Sequence, residues 1–194
     1  MNRTGSLARK TGETDIFVSL DLDGEGVSQI DTGIGFFDHM LSAVAKHGLM
    51  DLTVRVQGDL AVDGHHTVED TGIGLGAALA QALGDKKGIR RVGSCFLPMD
   101  ESLAFCALDI SGRPYLAFDA AFPAEMCGSY ASALTEEFFR AVSVSSGITL
   151  HLKAEGRNTH HMIEALYKAF ARALRDAAAL DPRVKGVPST KGVL

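Results

Sequence analysis

Two copies of one short pattern, placed half a chain apart, constrain this protein more than any other feature. The segments are His65-His66-Thr-Val-Glu69 and His160-His161-Met-Ile-Glu164, in a chain of 194 residues. Each is followed by an apolar, Ala-rich stretch of similar length, GIGLGAALAQAL at 72–83 and ALYKAFARAL at 165–174. A pattern repeated at such a distance implies two related structural units rather than one irregular fold.

The residues before each pair match in type as well. Residues 13–21 and 26–31 alternate apolar with polar positions, as half-buried strands do, and DGEG between them reads as a hairpin turn. Residues 36–47 carry apolar side chains at helical spacing, with Gly48 suited to end that helix. Residues 51–57 read as a strand. The second half repeats the order: a strand at 102–110, a turn at SGRP, a strand at 115–121, a helix over about 130–143, a strand at 148–154 and the helix after His160. The expected fold is therefore α/β (α+β), an internal duplication of a ββαβα half. The repeats are expected at roughly 9–88 and 89–182 of a single domain 1–194, joined at GDKKGIRRVG (84–93), with a non-regular C-terminal tail at 183–194.

Charge and composition narrow the function. Hydrophobic residues at 46% suit a packed core, and a net charge of −5 is opposite in sign to the basic balance of a general nucleic-acid binder. No apolar run approaches the roughly 20 residues of a membrane span, and MNRTGSLARK has no apolar leader core. Neither nucleic acid nor membrane is expected as a partner, and the cytoplasm is the expected compartment. Three Cys without CxxC spacing suggest free core thiols rather than a disulfide framework or a thiolate zinc site.

On a helix, positions i and i+4 share a face, so His65 can meet Glu69 and His160 can meet Glu164, while His66 and His161 point about 100° away. Each segment thus offers ligands in two directions. Imidazole with carboxylate suits Mn, Fe, Zn or Ni rather than Ca or Mg. His39 in FFDHM and His151, just upstream of the second pair, extend the candidate ligand set. His47 sits at a helix end, where it can simply complement the dipole. Arg90 or Arg91, Arg113, Lys168, Ser189 and Lys191 form a second constellation suited to a phosphate. No P-loop motif is present, which favours a small phosphorylated metabolite over a nucleotide.

Taken together, GIGFFDHMLSAVAKHG, DGHHTVEDTGIGLG, GRPYL, GRNTHHMIEALYKAFARAL and PSTKGVL resemble the imidazoleglycerol-phosphate dehydratase family from about Arg9 to the C-terminus. The resemblance implies a four-stranded sheet covered on one face by two helices in each half, like the second domain of ribosomal protein S5. It implies a homo-oligomer of 24 subunits, with two Mn²⁺ per active site and sites shared between subunits. The implied metal ligands are His39, His65, His66, Glu69, His151, His160, His161 and Glu164. Glu13, Glu69 and Glu164 are the implied catalytic carboxylates. Glu13, His47, Arg91, Asp100, Arg113, Lys168, Ser189, Thr190 and Lys191 are implied on the substrate, a small phosphorylated imidazole, with Arg91, Arg113 and the tail on its phosphate. Ser42 stands where many relatives carry a Gln.

The chemistry agrees with that assignment. The proton to be lost is not acidic in the resting substrate, so a simple base cannot take it. A cation on the imidazole would ease formation of an imidazolate that expels the neighbouring hydroxyl, giving a diazafulvene-like intermediate whose C–H is acidic. A carboxylate such as Glu13 can then remove the proton. A dinuclear metallohydrolase acting on a phosphate ester shares the same residue types, and release of inorganic phosphate would favour it.

Overall fold

A computed structural model describes residues 3–194. The first half runs β1 (Thr4–Lys10), β2 (Thr14–Asp21), β3 (Ser28–Asp31), α1 (Gly35–Gly48), β4 (Asp51–Gly58) and α2 (His65–Leu83). The second runs β5 (Val92–Met99), β6 (Ser102–Asp109), β7 (Tyr115–Ala120), α3 (Leu134–Ser146), β10 (Thr149–Glu155) and α4 (Thr159–Ala178). A two-stranded ribbon, β8 (Met126–Cys127) with β9 (Tyr130–Ala131), is inserted between β7 and α3. The two four-stranded sheets have the same order, β1-β2-β4-β3 and β5-β6-β10-β7. The expected duplication is therefore present in the strand pairing itself.

Each half gains one leading strand over the ββαβα string. β1 pairs antiparallel with β2, and β5 pairs antiparallel with β6. Their inward faces are carried partly by glycine. A Cβ placed on Gly5 would lie 2.0 Å from the carbonyl oxygen of Ala78 on α2, and one on Gly93 would lie 2.0 Å from that of Ala173 on α4. Both first strands thus press backbone against helix where any side chain would collide.

One local expectation is corrected. DGEG does not close a hairpin: β4 lies between β2 and β3, antiparallel to the first and parallel to the second. Two adjacent strands of matching periodicity need not be partners, because alternation reports a buried face and not a neighbour. The connector at 84–93 is held in the fold. Val92 and Gly93 already belong to β5, and the amides of Arg90 and Arg91 donate to the carbonyls of Ala179 and Ala177 at the end of α4.

The helices lie between the sheets. α2 packs on β1, β2 and β4, and α4 packs on β5, β6 and β10. Across the middle, α1 packs on α4 and α2 on α3, so each helix pair joins the two halves. This explains why α2 and α4 are buried over most of their circumference. At the centre Phe37 stacks on Tyr130, and Phe138 on Tyr167, with all four side chains fully buried. Burial of a side chain of that size stabilises by about 1.5–3 kcal/mol. The Tyr130 and Tyr167 hydroxyls lie 3.3 Å apart, and burial pushes the Tyr130 phenol up to about 12. The outer sheet faces stay open, so strands such as β2 and β10 alternate buried and exposed residues. No helix among the described residues is long and apolar enough to cross a membrane.

Candidate metal centre

Both histidine pairs open a helix. The Asp63 side chain accepts the His65 amide at 2.7 Å at the start of α2. The Asn158 side chain accepts the amides of His160 and His161 at the start of α4. The Asn158 cap on α4 and the Asp63 hydrogen bond just before α2 anchor the two helix starts, so the imidazoles leave the helix end in defined directions.

The tightest cluster joins the two halves. His39 on α1 places Nε2 3.4 Å from Glu164 Oε2, and His160 places Nε2 3.1 Å from the same oxygen. One ligand atom from each of the three residues lies within 4.8 Å of the others, the spacing of a candidate metal site. Phe36 supports this arrangement edge-on against the His160 ring, at 5.0 Å between centroids. Asp38, next to His39, accepts the backbone amide and hydroxyl of Thr32, anchoring the start of α1. Glu164 is only 8% exposed in its side chain. Burial alone would raise its carboxyl, but Lys168, with Nζ 2.5 Å from Oε1, together with His39 and His160 brings it below the usual range. The site therefore holds a carboxylate ready to coordinate, with two unblocked imidazoles beside it. The donor set of two nitrogens and a carboxylate oxygen fits a borderline divalent cation.

The second imidazole of each pair faces elsewhere and has its own acidic partner. His66 Nδ1 lies 3.1 and 3.0 Å from the two Asp59 oxygens, while its Nε2 is 3.7 Å from Glu13. His161 Nδ1 lies 2.8 Å from Glu101, while its Nε2 is 3.9 Å from Asp100. The hydrogen bonds to Asp59 and Glu101 raise the pKa of His66 and His161 respectively. In return the His161 contact lowers Glu101 to about 2. His65 and Glu69 form a looser exposed pair at 3.7 Å.

Other expected site residues lie apart. His151 is exposed on the outer face of β10, its ring 6.3 Å from that of Tyr115, away from the cluster at the head of α4. His47 is in the last turn of α1; burial, then the charges of Lys168 and Arg172, lower its pKa. Arg91 forms a two-pronged pair with Asp109 at 2.7 and 3.0 Å and donates to the carbonyl of Pro188 at 2.9 Å. Arg113 reaches the same Asp109 at 3.6 Å. Ser189, whose Oγ accepts the Lys191 amide, therefore lies in a tail folded back toward Arg91, with Thr190 and Lys191 exposed beside it.

Asp59 and Glu101 are partners of the candidate ligands that spacing alone does not reveal. Each is a single carboxylate in a loop. The one signal available is position: Glu13 and Glu101 both stand immediately before the second strand of their half.

Comparison with known proteins places the chain in a family. A family model described as imidazoleglycerol-phosphate dehydratase matches residues 32–174. A protein of that name from Symbiobacterium thermophilum is 65% identical over 99% of this chain and 93% of its own length. Another from Acetivibrio thermocellus is 61% identical over the full length of both. The crystal structure of imidazoleglycerol-phosphate dehydratase from Staphylococcus aureus superposes with a TM-score of 0.84 at 41% identity, covering 92% of this chain and 99% of that one. A structure from Pyrococcus furiosus, in complex with (S)-C348, gives a TM-score of 0.83 at 35% identity, covering 97% of this chain and all of that one. With the fold, the paired histidine motifs and these relatives in agreement, the chain belongs to the imidazoleglycerol-phosphate dehydratase family.

Proposed function

We propose that this chain removes water from imidazoleglycerol phosphate to give imidazole acetol phosphate in histidine biosynthesis, and that it requires a divalent cation, Mn²⁺ at two sites per active centre. Family membership supports the reaction. The observation that carries the metal requirement is the convergence of His39, His160 and Glu164, from both halves, on one point.

His39, His160, Glu164, His65 and Glu69 would hold cation through the first-pair direction, with His66 and His161 serving the second; His151 is proposed to join from a neighbouring subunit. A bound cation would supply acidification of the imidazole N–H and polarisation of the departing hydroxyl. Glu13, 57% exposed and not engaged by a strong partner, would take the carbon-bound proton. Lys168 holds Glu164 ionised and in place. Arg91, Arg113, Ser189, Thr190 and Lys191 would orient the substrate through its phosphate, with Asp100 near the ring.

Distance supports sites shared between subunits. The Arg91 amide bonds to Ala177, at the far end of α4 from His160. At 1.5 Å per residue, those two ends of α4 are separated by about 26 Å, far beyond the reach of one small metabolite. A phosphate at Arg91 and an imidazole at His160 would then belong to different copies of a homo-oligomer; 24 subunits and a cytoplasmic location are proposed with it from the family resemblance.

The test is a dehydration assay on imidazoleglycerol phosphate before chelation, after chelation and after return of Mn²⁺. Loss and recovery of ketone formation are expected. Activity that persists without metal, or inorganic phosphate as product, would overturn the proposal.

A further inference from the structure

The duplication places Glu13 and Glu101 at equivalent positions, each directly before the second strand of its half and each beside the second histidine of its pair. Their roles differ. In the second half Glu101 is fully engaged. Its Oε1 accepts the backbone amides of Arg157 and Asn158 at 3.3 and 2.9 Å and the Ser102 hydroxyl at 2.9 Å, leaving Oε2 on His161 Nδ1 at 2.8 Å. In the first half that duty falls to Asp59, whose two oxygens both address His66 Nδ1, and Glu13 is left facing Nε2.

We infer that Asp59 and Glu101 are positioning residues that fix the tautomer of His66 and His161, so that both present a bare Nε2 to a metal and leave Glu13 and Asp100 as the free acids on that side. The inference rests on the metal-binding reading above. An ionised carboxylate only accepts hydrogen bonds, so a ring nitrogen at 2.8–3.1 Å from it carries the proton. The opposite nitrogen then has its lone pair exposed. Such a partner also holds the ring plane and raises ligand basicity.

The two carboxylates predict opposite responses to the same chemical change. In Glu101→Gln, the amide oxygen stays where three donors converge on it, so the amide NH₂ is turned onto His161 Nδ1. That reverses the tautomer and puts the proton on Nε2, at unchanged size. In Asp59→Asn the amide can turn its oxygen toward His66 Nδ1, because both Asp59 oxygens serve only that ring, and the tautomer survives. Asp59→Ala removes the partner.

The measurement is Mn²⁺ retained per chain by the intact protein, dialysed against chelator-buffered Mn²⁺. Glu101→Gln and Asp59→Ala are expected to weaken binding about 10–100-fold, with Asp59→Asn close to the parent protein. Parent-like binding by Glu101→Gln overturns the inference, and so does an equal loss in Asp59→Asn, which would make charge rather than tautomer the cause. If the parent protein itself retains no Mn²⁺, the metal reading fails and this inference falls with it. A second readout covers variants that do not fold. In ¹⁵N spectra of histidine-labelled parent protein, at a pH where the rings are neutral, His66 and His161 should show an unprotonated Nε2. A protonated Nε2 at either ring overturns the inference.

Discussion

Glu164 Oε2 lies 3.4 Å from His39 Nε2, an atom contributed by the other half of the chain. The duplication is thus not only architectural. The first helix of one half completes the ligand cluster at the head of the last helix of the other, through the packing of α1 on α4. A mutation at either residue should therefore read out on the same metal. Glu164→Ala and His39→Ala are each expected to reduce metal content of the purified protein. The double variant should fall short of the sum of the two losses in free energy, because both remove the same site. Additive losses in metal-binding isotherms would show independent sites.

Glu13 predicts a clean separation of binding from turnover. Its side chain is exposed and touches no buried group, so Glu13→Gln should leave folding and metal content intact. Loss of a general base typically lowers turnover by about 10²–10⁴-fold. Steady-state kinetics at saturating substrate would show this in kcat. Near-normal turnover would remove Glu13 as the base.

The phosphate assignment predicts the opposite kinetic signature. Arg113 is exposed and makes only a long contact with Asp109. Loss of one charged hydrogen bond to substrate costs about 1.5–3 kcal/mol. Arg113→Ala should therefore raise KM roughly tenfold to a hundredfold with little change in folding, as measured by initial rates across substrate concentration. An unchanged KM would place the phosphate elsewhere.

The pair of Glu101 and His161 gives a pH dependence with a fixed sign. Glu101 is lowered from its ordinary 4.5 to about 2, so its contribution to stability is present above 4.5 and is lost as pH falls toward 2. His161 is raised above its ordinary 6.5, so its contribution is full below 6.5 and is lost as pH rises through the raised value. The pair stabilises the metal-free protein most between about 4.5 and 6.5. Melting temperatures of the parent and of Glu101→Ala, both metal-free, should differ most in that window. A constant difference from acid to alkali would contradict the linkage.

Packing predicts a further contrast. Alanine at Gly5 or Gly93 would force a Cβ into a helix carbonyl, and such overpacking typically costs 1–3 kcal/mol. Nothing lies within 4 Å of a Cβ at Gly12 or Gly186, so alanine there should stay within about 0.5 kcal/mol. Chemical denaturation of the four variants checks this directly.

These same glycines explain what the sequence conceals. The periodic apolar runs of α1, α2, α4, β2 and β6 are visible because bulky side chains mark the buried face. In β1 the inward positions are Gly5, Leu7 and Arg9, and in β5 they are Gly93, Cys95 and Leu97, while Val92 and Phe96 point outward. In β1 a face written in glycine and a salt-bridged arginine has no clear hydrophobic period, and in β5 the apolar Val92 and Phe96 on the outer face erase the alternation, so both leading strands escape notice. The α1 terminus is a similar case. Leu49, not Gly48, takes the left-handed conformation, at φ 51°. The candidate site divides in the same way. The pairs His65–Glu69 and His160–Glu164, with His66 and His161 beside them, follow from spacing because helical geometry joins them locally, whereas His39 meets Glu164 only through the packing of α1 on α4. Asp59 and Glu101 reach their histidines through loops and a strand hairpin, and no fixed spacing encodes that approach.

His39, His160 and Glu164 are expected to hold a catalytic cation. Crystals of the protein grown with Mn²⁺, with data collected on either side of the manganese absorption edge, test it most directly. An anomalous peak within coordination distance of His39 Nε2, His160 Nε2 and Glu164 Oε2 is the expected result. A fully loaded, active protein with no anomalous density at those three atoms would contradict it.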